Sequence, residues 1–354
     1  IDLPEGTDPY DPSVYAKGAE NLQRLIDDGV LMREEKPCYY IYRLRWEGHL
    51  QTGLVFGASV AAYDINRVRK HEFTRPVKED DRVRQITALN AQTGPVLLTY
   101  RADDAVKAII DETAAGTPAY DLTADDGIGH TLWVLDDDAK IEQLNQIFDA
   151  TDALYIADGH HRSASASRVA KENSAESAQY FLSVAFAHDE MKILDYNRVV
   201  RDLHGLSADE LLANAAASFD LELSAEAVRP AKPTQFGMYV NGQWYRLDVH
   251  EELVPSDDPV ASLDVSLLHS NLIEPLLGIS DPRRDDRIDF VGGMRGLGEL
   301  EKRVDSGEMA VAFSLYPTTM EALMDVADAN EVMPPKSTWF EPKLADGLVS
   351  HVLD

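Results

Sequence analysis

Apolar and polar positions along the chain fall into alternating helical and extended patterns. After a Pro- and Asp-rich opening, Tyr15, Ala19, Leu22, Leu25 and Ile26 recur on one side of a helical wheel, which predicts an amphipathic helix over 13–31. Residues 38–46 and 50–60 read as strands joined at Glu47-Gly48, a hairpin signal. A charged helical region then runs from Asp64 to Leu89, interrupted at Pro76. Further strands are predicted at 95–101, 131–136, 153–157, 179–186 and 191–199. The pattern changes around Asp202 to Ser207, where a helix at 207–218 begins a second region. Its Asn241-Gly242 pair, set between Phe236–Val240 and Trp244–Val249, is a strong hairpin signal. A helix near 260–277, a strand at 287–291, a helix at 294–305, a strand at 309–316 and a helix at 318–328 complete it. No repeat or low-complexity tract interrupts this order, and it is not a clean βαβ alternation. The expected fold class is α+β, with mixed sheets and flanking helices, in two regions spanning 1–204 and 205–354.

Composition narrows the picture. A chain of 354 residues that is 44% hydrophobic and 27% charged has the make-up of an ordinary soluble globular protein with room for two packed domains. Its 62 acidic residues against 33 basic give a formal charge of -29, a field that repels nucleic acid and anionic membranes. DNA is therefore not an expected partner, and any anion site must be a local basic pocket. Cys38 is the single cysteine, which excludes an intramolecular disulfide and a cysteine-ligated zinc site and fits a reducing cytoplasm. No apolar run has the length of a membrane span and no leader precedes the first region, so a cytoplasmic location is expected. The sequence opens on Ile1 rather than Met, which suggests residues upstream.

Residues 153–168 carry the most chemistry. Leu154, Tyr155, Ile156 and Ala157 read as a buried strand, Gly159 permits backbone that other residues resist, and the Ala-rich run after Arg162 favours a helix. Free N–H groups and the positive dipole end at such a helix start attract a phosphate or carboxylate. Arg162 is placed to grip it bidentately, with His160 and His161 as donors or proton carriers. The plainer alternative is that Asp158 caps the helix.

Three other stretches compete for a role. His71 to Arg82 is the densest ionisable cluster and mixes both signs, as suits a nucleotide and its metal. Glu72 is a candidate general base or Mg²⁺ ligand, and Arg75, Lys78 and Arg82 are candidates to neutralise phosphate oxygens. A solvated face laced with ion pairs is the other reading. In Met333 to Lys343, three prolines fix the path and Lys336, Ser337, Thr338 and Lys343 are within chemical reach of an anion, although the glycines of a phosphate loop are missing. Asp289 to Arg295 repeats the strand, glycine turn and helix arrangement. Asn197-Arg198 closes an apolar strand and offers either a donor pair to a cleft or an ion pair with a neighbouring Asp.

Taken together, Ile156-Ala-Asp-Gly-His-His-Arg162, His71-Glu72-Phe-Thr-Arg75, Lys78-Glu-Asp-Asp-Arg82 and Met333-Pro-Pro-Lys-Ser-Thr-Trp-Phe-Glu-Pro-Lys343 resemble domain-of-unknown-function family 1015, often labelled SpoOJ/ParA/ParB-like. The resemblance runs from Tyr10 to Leu353 and includes Ala91-Gln-Thr-Gly-Pro95, Asp195-Tyr-Asn-Arg-Val199 and Arg287-Ile-Asp-Phe-Val-Gly-Gly293. Members of that family begin some tens of residues earlier with a Pro-Tyr-Asp-Val motif, which is not found in this sequence. The Asp158-Gly-His-His-Arg162 turn is also similar to one in ParB nucleotide-binding domains, sulfiredoxin and free-serine kinases.

That second resemblance implies a ParB/sulfiredoxin-like first region that binds nucleotide phosphates from Gly159 to Ser163. It points to ATP or ADP with Mg²⁺ as cofactor, Glu72 or Asp158 as metal ligand, and transfer of phosphate to a small hydroxyl substrate such as a free amino acid. Glu72, Asp158, His160, His161 and Arg162 are then the expected catalytic set, in a cleft lined by 71–82, 158–163 and 333–343. Two alternatives stand beside it. One is a non-enzymatic nucleotide-dependent switch or ParB-like regulator, with homo-oligomerisation left open. The other is a metal-dependent hydrolase using His71, Asp158, His160 and His161, for which no His-Glu-x-x-His helix is present.

Overall fold

The computed structural model describes residues 3–354. Ile1, on which the expectation of upstream residues rests, lies outside the described residues. The chain divides into two compact units, one of Ile1–Met191 with Pro342–Asp354 and one of Lys192–Glu341.

The first unit is built on an eight-stranded mixed sheet. Its strands run in the order Val68–Arg69, Leu154–Asp158, Val96–Tyr100, Tyr180–Ala187, His49–Ser59, Tyr39–Trp46, Gly129–Leu135 and Tyr120–Thr123. The Tyr39–Trp46 and His49–Ser59 strands form the expected hairpin, turning through Glu47 and Gly48 at φ 47° and 79°. A core of Ile41, Leu54, Leu98, Ile156, Phe181 and Ala185 is contributed by the central strands of this sheet. Burying aliphatic and aromatic side chains of the larger sizes stabilises the fold by roughly 1.5–3 kcal/mol each.

Two helices of this unit, Asp104–Ala114 and Asp138–Ala150, are absent from the sequence expectation. Each starts behind an aspartate that caps it: Asp103 accepts from the Ala105 and Val106 amides, and Asp137 from Ala139 and Lys140. Each presents apolar residues at helical spacing to the core, Val106, Ile109 and Ile110 in one and Ile141, Leu144, Ile147 and Phe148 in the other. The charged region at 64–89 is not one interrupted helix. A short helix ends at Asp64, Val68–Arg69 joins the sheet, and the helix proper is Pro76–Leu89. Pro76 suits the first turn of that helix, where no N–H is needed, and Arg75 before it is extended at φ −103° and ψ 127°.

The second unit contains a six-stranded antiparallel sheet in the order Phe219–Ser224, Gln243–Val249, Gln235–Val240, Val311–Leu315, Tyr196–Val200 and Ile288–Gly292. Asn241 and Gly242 both have positive φ, 50° and 75°, which twists the hairpin in the sense its strands require. The expected helix near 260–277 is three stretches, Asp264–Leu268, a π turn at His269–Ile273 and Glu274–Leu277. The helix expected from 294 starts only at Leu297, because Gly296 at φ 69° and ψ 174° breaks it from the Gly293–Arg295 turn.

Asp264 accepts the amide of Thr234 at 2.8 Å, holding that β-branched residue at φ 67°. Its second oxygen is buried without a hydrogen-bond partner. Burial raises its pKa from 3.8 to about 7, against the Thr234 hydrogen bond, so the folded state holds this proton more tightly than the unfolded chain. The resulting stability is fully present below pH 3.8, falls as pH rises and is lost above about pH 7. Asp264→Asn is expected to lose less melting temperature between pH 5 and pH 8 than the wild type in calorimetry; equal losses contradict this assignment.

Candidate functional site

The Leu154–Asp158 strand buries Tyr155, Ile156 and Ala157 and delivers the chain to Gly159 in the first unit. Gly159 has φ 101° and ψ 24°, a conformation that costs any other residue about 1–2 kcal/mol. A Cβ there would sit 3.3 Å from Val96 Cα, a tight approach, and in ordinary contact with Arg162 Nη1 at 3.5 Å, so it is the backbone conformation that calls for glycine. The helix His160–Glu172 begins at once, its first turn closed by the Arg162 and Ser163 amides on the Gly159 carbonyl at 2.8 and 3.1 Å. The helices at 12, 104 and 138 each carry a side-chain cap; this one has none, and Asp158 is not its cap. An uncapped helix start favours an anion.

The two histidines hold a neighbouring loop. His160 Nε2 accepts the backbone N–H of His71 at 3.4 Å, and His161 Nε2 accepts that of Arg75 at 3.0 Å. An imidazole that accepts through Nε2 is neutral and carries its proton on Nδ1. For His160, Nδ1 lies 3.8 Å from the Glu72 carboxylate, whose side chain is 61% exposed. His71 and His160 are both buried, with their rings edge to face at 4.5 Å. Burial lowers the pKa of His71 to about 4 and holds His160 well below the usual imidazole range, with the His71 ring adding to the effect. His161 is lowered by burial and then by Arg75. The paired histidines thus fix residues 71–75 against the first helical turn.

Arg162 donates through Nη1 to the Pro95 carbonyl at 2.8 Å. Together with Arg82, Gln85, Ile86, the 91–94 turn and Asp346 it lines a cavity of about 60 Å³. Lys343 reaches Asp158 at 3.2 Å, both side chains being about half exposed. The C-terminal segment that brings Lys343 and Asp346 here is fixed by Gly347 N–H on the Thr93 carbonyl at 2.8 Å, Ala345 N–H on the Tyr42 hydroxyl at 3.3 Å and Leu353 N–H on the Asn90 carbonyl at 2.9 Å. Asp346, Gln85 and the Gln92–Pro95 turn carry no chemical motif of their own. The turn alone has a sequence signal, Ala91–Pro95 within the family pattern; Asp346 and Gln85 have none.

Other expected residues have different settings. Ser163 is fully buried and donates to the His160 carbonyl at 3.1 Å, so its hydroxyl serves the helix start from within. Arg75 and Lys78 are exposed, Lys78 donating to the Tyr10 hydroxyl at 2.9 Å. The 333–343 stretch is divided, with Lys343 in the first unit and Lys336, Ser337 and Thr338 in the second. Within the second unit, Lys336 stands at φ 60° with its carbonyl held by the buried Arg198 at 3.0 Å. Ser337 is buried on the Pro334 carbonyl at 2.6 Å. Arg198 bonds backbone carbonyls rather than an Asp, and burial lowers its pKa to about 10. Asn197 is the residue that meets Asp195, at 2.5 Å. Among the described residues, no three His, Cys, Asp or Glu side chains gather at metal-binding spacing. No described helix is long and apolar enough to cross a membrane.

A family model described as a protein of unknown function (DUF1015) matches residues 1–266. No curated protein matches the chain. Among solved structures, a free serine kinase in complex with AMP is similar at 13% identity and a TM-score of 0.39, over 83% of this chain and 90% of that one. SbnI with a C-terminal truncation from Staphylococcus aureus is similar at 12% identity and a TM-score of 0.43, over 82% and 85%. A conserved hypothetical protein from Pyrococcus furiosus is similar at 14% identity and a TM-score of 0.38, over 83% and 93%. Likenesses this distant carry no argument about activity.

Two outcomes check the geometry. The ring signals of His71 and His160 are expected to stay neutral in an NMR titration down to pH 5; titration of both near pH 6.5 contradicts their burial. Because a lowered imidazole pKa favours the fold only above the unfolded value of 6.5, this contribution is lost as pH falls towards about 4. Gly159→Ala is expected to destabilise the fold by about 1–3 kcal/mol in denaturant unfolding, and an unchanged midpoint would refute the strain assigned to that turn.

Proposed function

The chain belongs to the DUF1015 family, and we propose that it is a nucleotide-binding phosphoryl-transfer enzyme acting on a small hydroxyl substrate such as a free amino acid. One observation carries this reading: an uncapped helix start after a left-handed glycine, with Arg162 and Arg82 lining the cavity beside it. Backbone N–H groups of the turn and the rest of the Arg162 fork receive phosphate oxygens, as cations and helix ends do wherever phosphate is held. In a chain of charge -29 such a pocket concentrates the attraction that the rest of the surface opposes.

Glu72 is the general base of the reading. Its carboxylate is exposed and lies 3.8 Å from Nδ1 of His160. It takes the proton of the substrate hydroxyl while that oxygen bonds to the terminal phosphorus. The bond from phosphorus to the leaving phosphate oxygen breaks, and the charge left there falls on the helix start and Arg162. Lys343, its amine 3.2 Å from the Asp158 carboxylate, neutralises a charge that otherwise repels the phosphates. Mg²⁺ needs only one or two carboxylates beside phosphate oxygens; with Glu72 serving as base, Asp158 is the residue that would hold it, to neutralise phosphate charge.

The test is a phosphorus NMR time course of the protein with Mg²⁺, ATP or ADP, and a pool of free amino acids including serine. A new phosphomonoester signal is expected. Arg162→Ala should slow its appearance by about 100- to 1000-fold without unfolding the protein. Glu72→Gln should slow it while nucleotide binding is kept. Turnover retained in Arg162→Ala removes that residue from the mechanism, and the absence of any new phosphate species overturns the enzyme reading.

A further inference from the structure

The 71–75 loop holds an aromatic ring in solvent. Phe73 is 74% exposed, and Val77 close by on the following helix is 63% exposed. Exposed apolar side chains rimmed by polar ones mark binding surfaces when they gather rather than scatter. Phe73 is not on a loose tip. The backbone two residues before it is tied to His160 and the backbone two residues after it to His161. Two residues of chain span at most about 7 Å, so Phe73 stays next to the first turn of the helix His160–Glu172. Its neighbours Arg75, Lys78 and Arg82 are exposed cations in an acidic chain. A fixed aromatic face beside cations and an anion-favouring helix start is complementary to a ligand that is itself both aromatic and anionic.

We infer that Phe73 is the platform on which the base of the nucleotide stacks, so that it selects nucleotides over inorganic phosphates of equal charge. The inference rests on the phosphate site proposed above. It assigns a purpose to the paired histidines, which hold the ring in place while remaining neutral. Stacking on an aromatic side chain is sequence-tolerant, so the platform distinguishes ring from no ring more strongly than one base from another.

Equilibrium binding of ADP and of tripolyphosphate to the full chain separates this inference from its premise. Phe73→Ala is expected to weaken ADP by about 5- to 100-fold and to leave tripolyphosphate unchanged. Phe73→Trp should keep ADP affinity, and its indole emission should change with ADP but not with tripolyphosphate. Arg162→Ala should weaken both ligands. If Phe73→Ala binds ADP as the wild type does while Arg162→Ala loses it, the platform is wrong and the phosphate site stands. If the wild type binds neither ligand, both fall.

Discussion

Everything proposed for this protein hangs on the backbone of Gly159. A residue at φ 101° turns the chain from the Leu154–Asp158 strand into the His160–Glu172 helix with no side chain spent on a cap. That turn packs against Val96, and Arg162 from the first helical turn reaches the neighbouring Pro95 carbonyl at 2.8 Å. The strand is buried and pinned in the sheet, so the helix start cannot drift. An anion site made this way needs no flexible lysine to find it.

The histidines explain how such a site coexists with order around it. Two adjacent imidazoles at a helix start suggest positive charge, but their Nε2 atoms accept backbone N–H groups, as only neutral rings do, and burial lowers the pKa of both. They spend their chemistry on holding residues 71–75. The cationic work is left to arginine, which does not lose its charge on partial burial. Glu72 and Phe73, joined by a single peptide bond, are thereby presented from a loop that would otherwise be free to move.

Much of the first unit was legible because its strands are apolar runs bounded by turn residues, and the Asp158–Ser163 turn announced itself through Gly159 and Arg162. The helices at 104 and 138 were not expected, although Val106, Ile109 and Ile110 in one and Ile141, Leu144, Ile147 and Phe148 in the other keep helical spacing behind an aspartate cap. Nor could spacing show that His160 and His161 point at backbone, because a histidine's role depends on what lies opposite it. The 333–343 stretch reads as one basic, proline-stiffened loop, yet Pro342 begins the segment that returns to the first unit. Lys343 and Asp346 belong to the candidate site for a reason of chain path that no local pattern contains. Ser163 looked like a ligand by type and is a buried helix residue by position.

The most direct measurement of the central claim is the set of backbone amide shifts on adding ADP, read by heteronuclear NMR of the labelled protein. The account predicts that the largest saturable changes fall on the amides of Gly159 to Arg162, with the 71–75 loop next. Saturable changes elsewhere with none at Gly159 to Arg162 would contradict it.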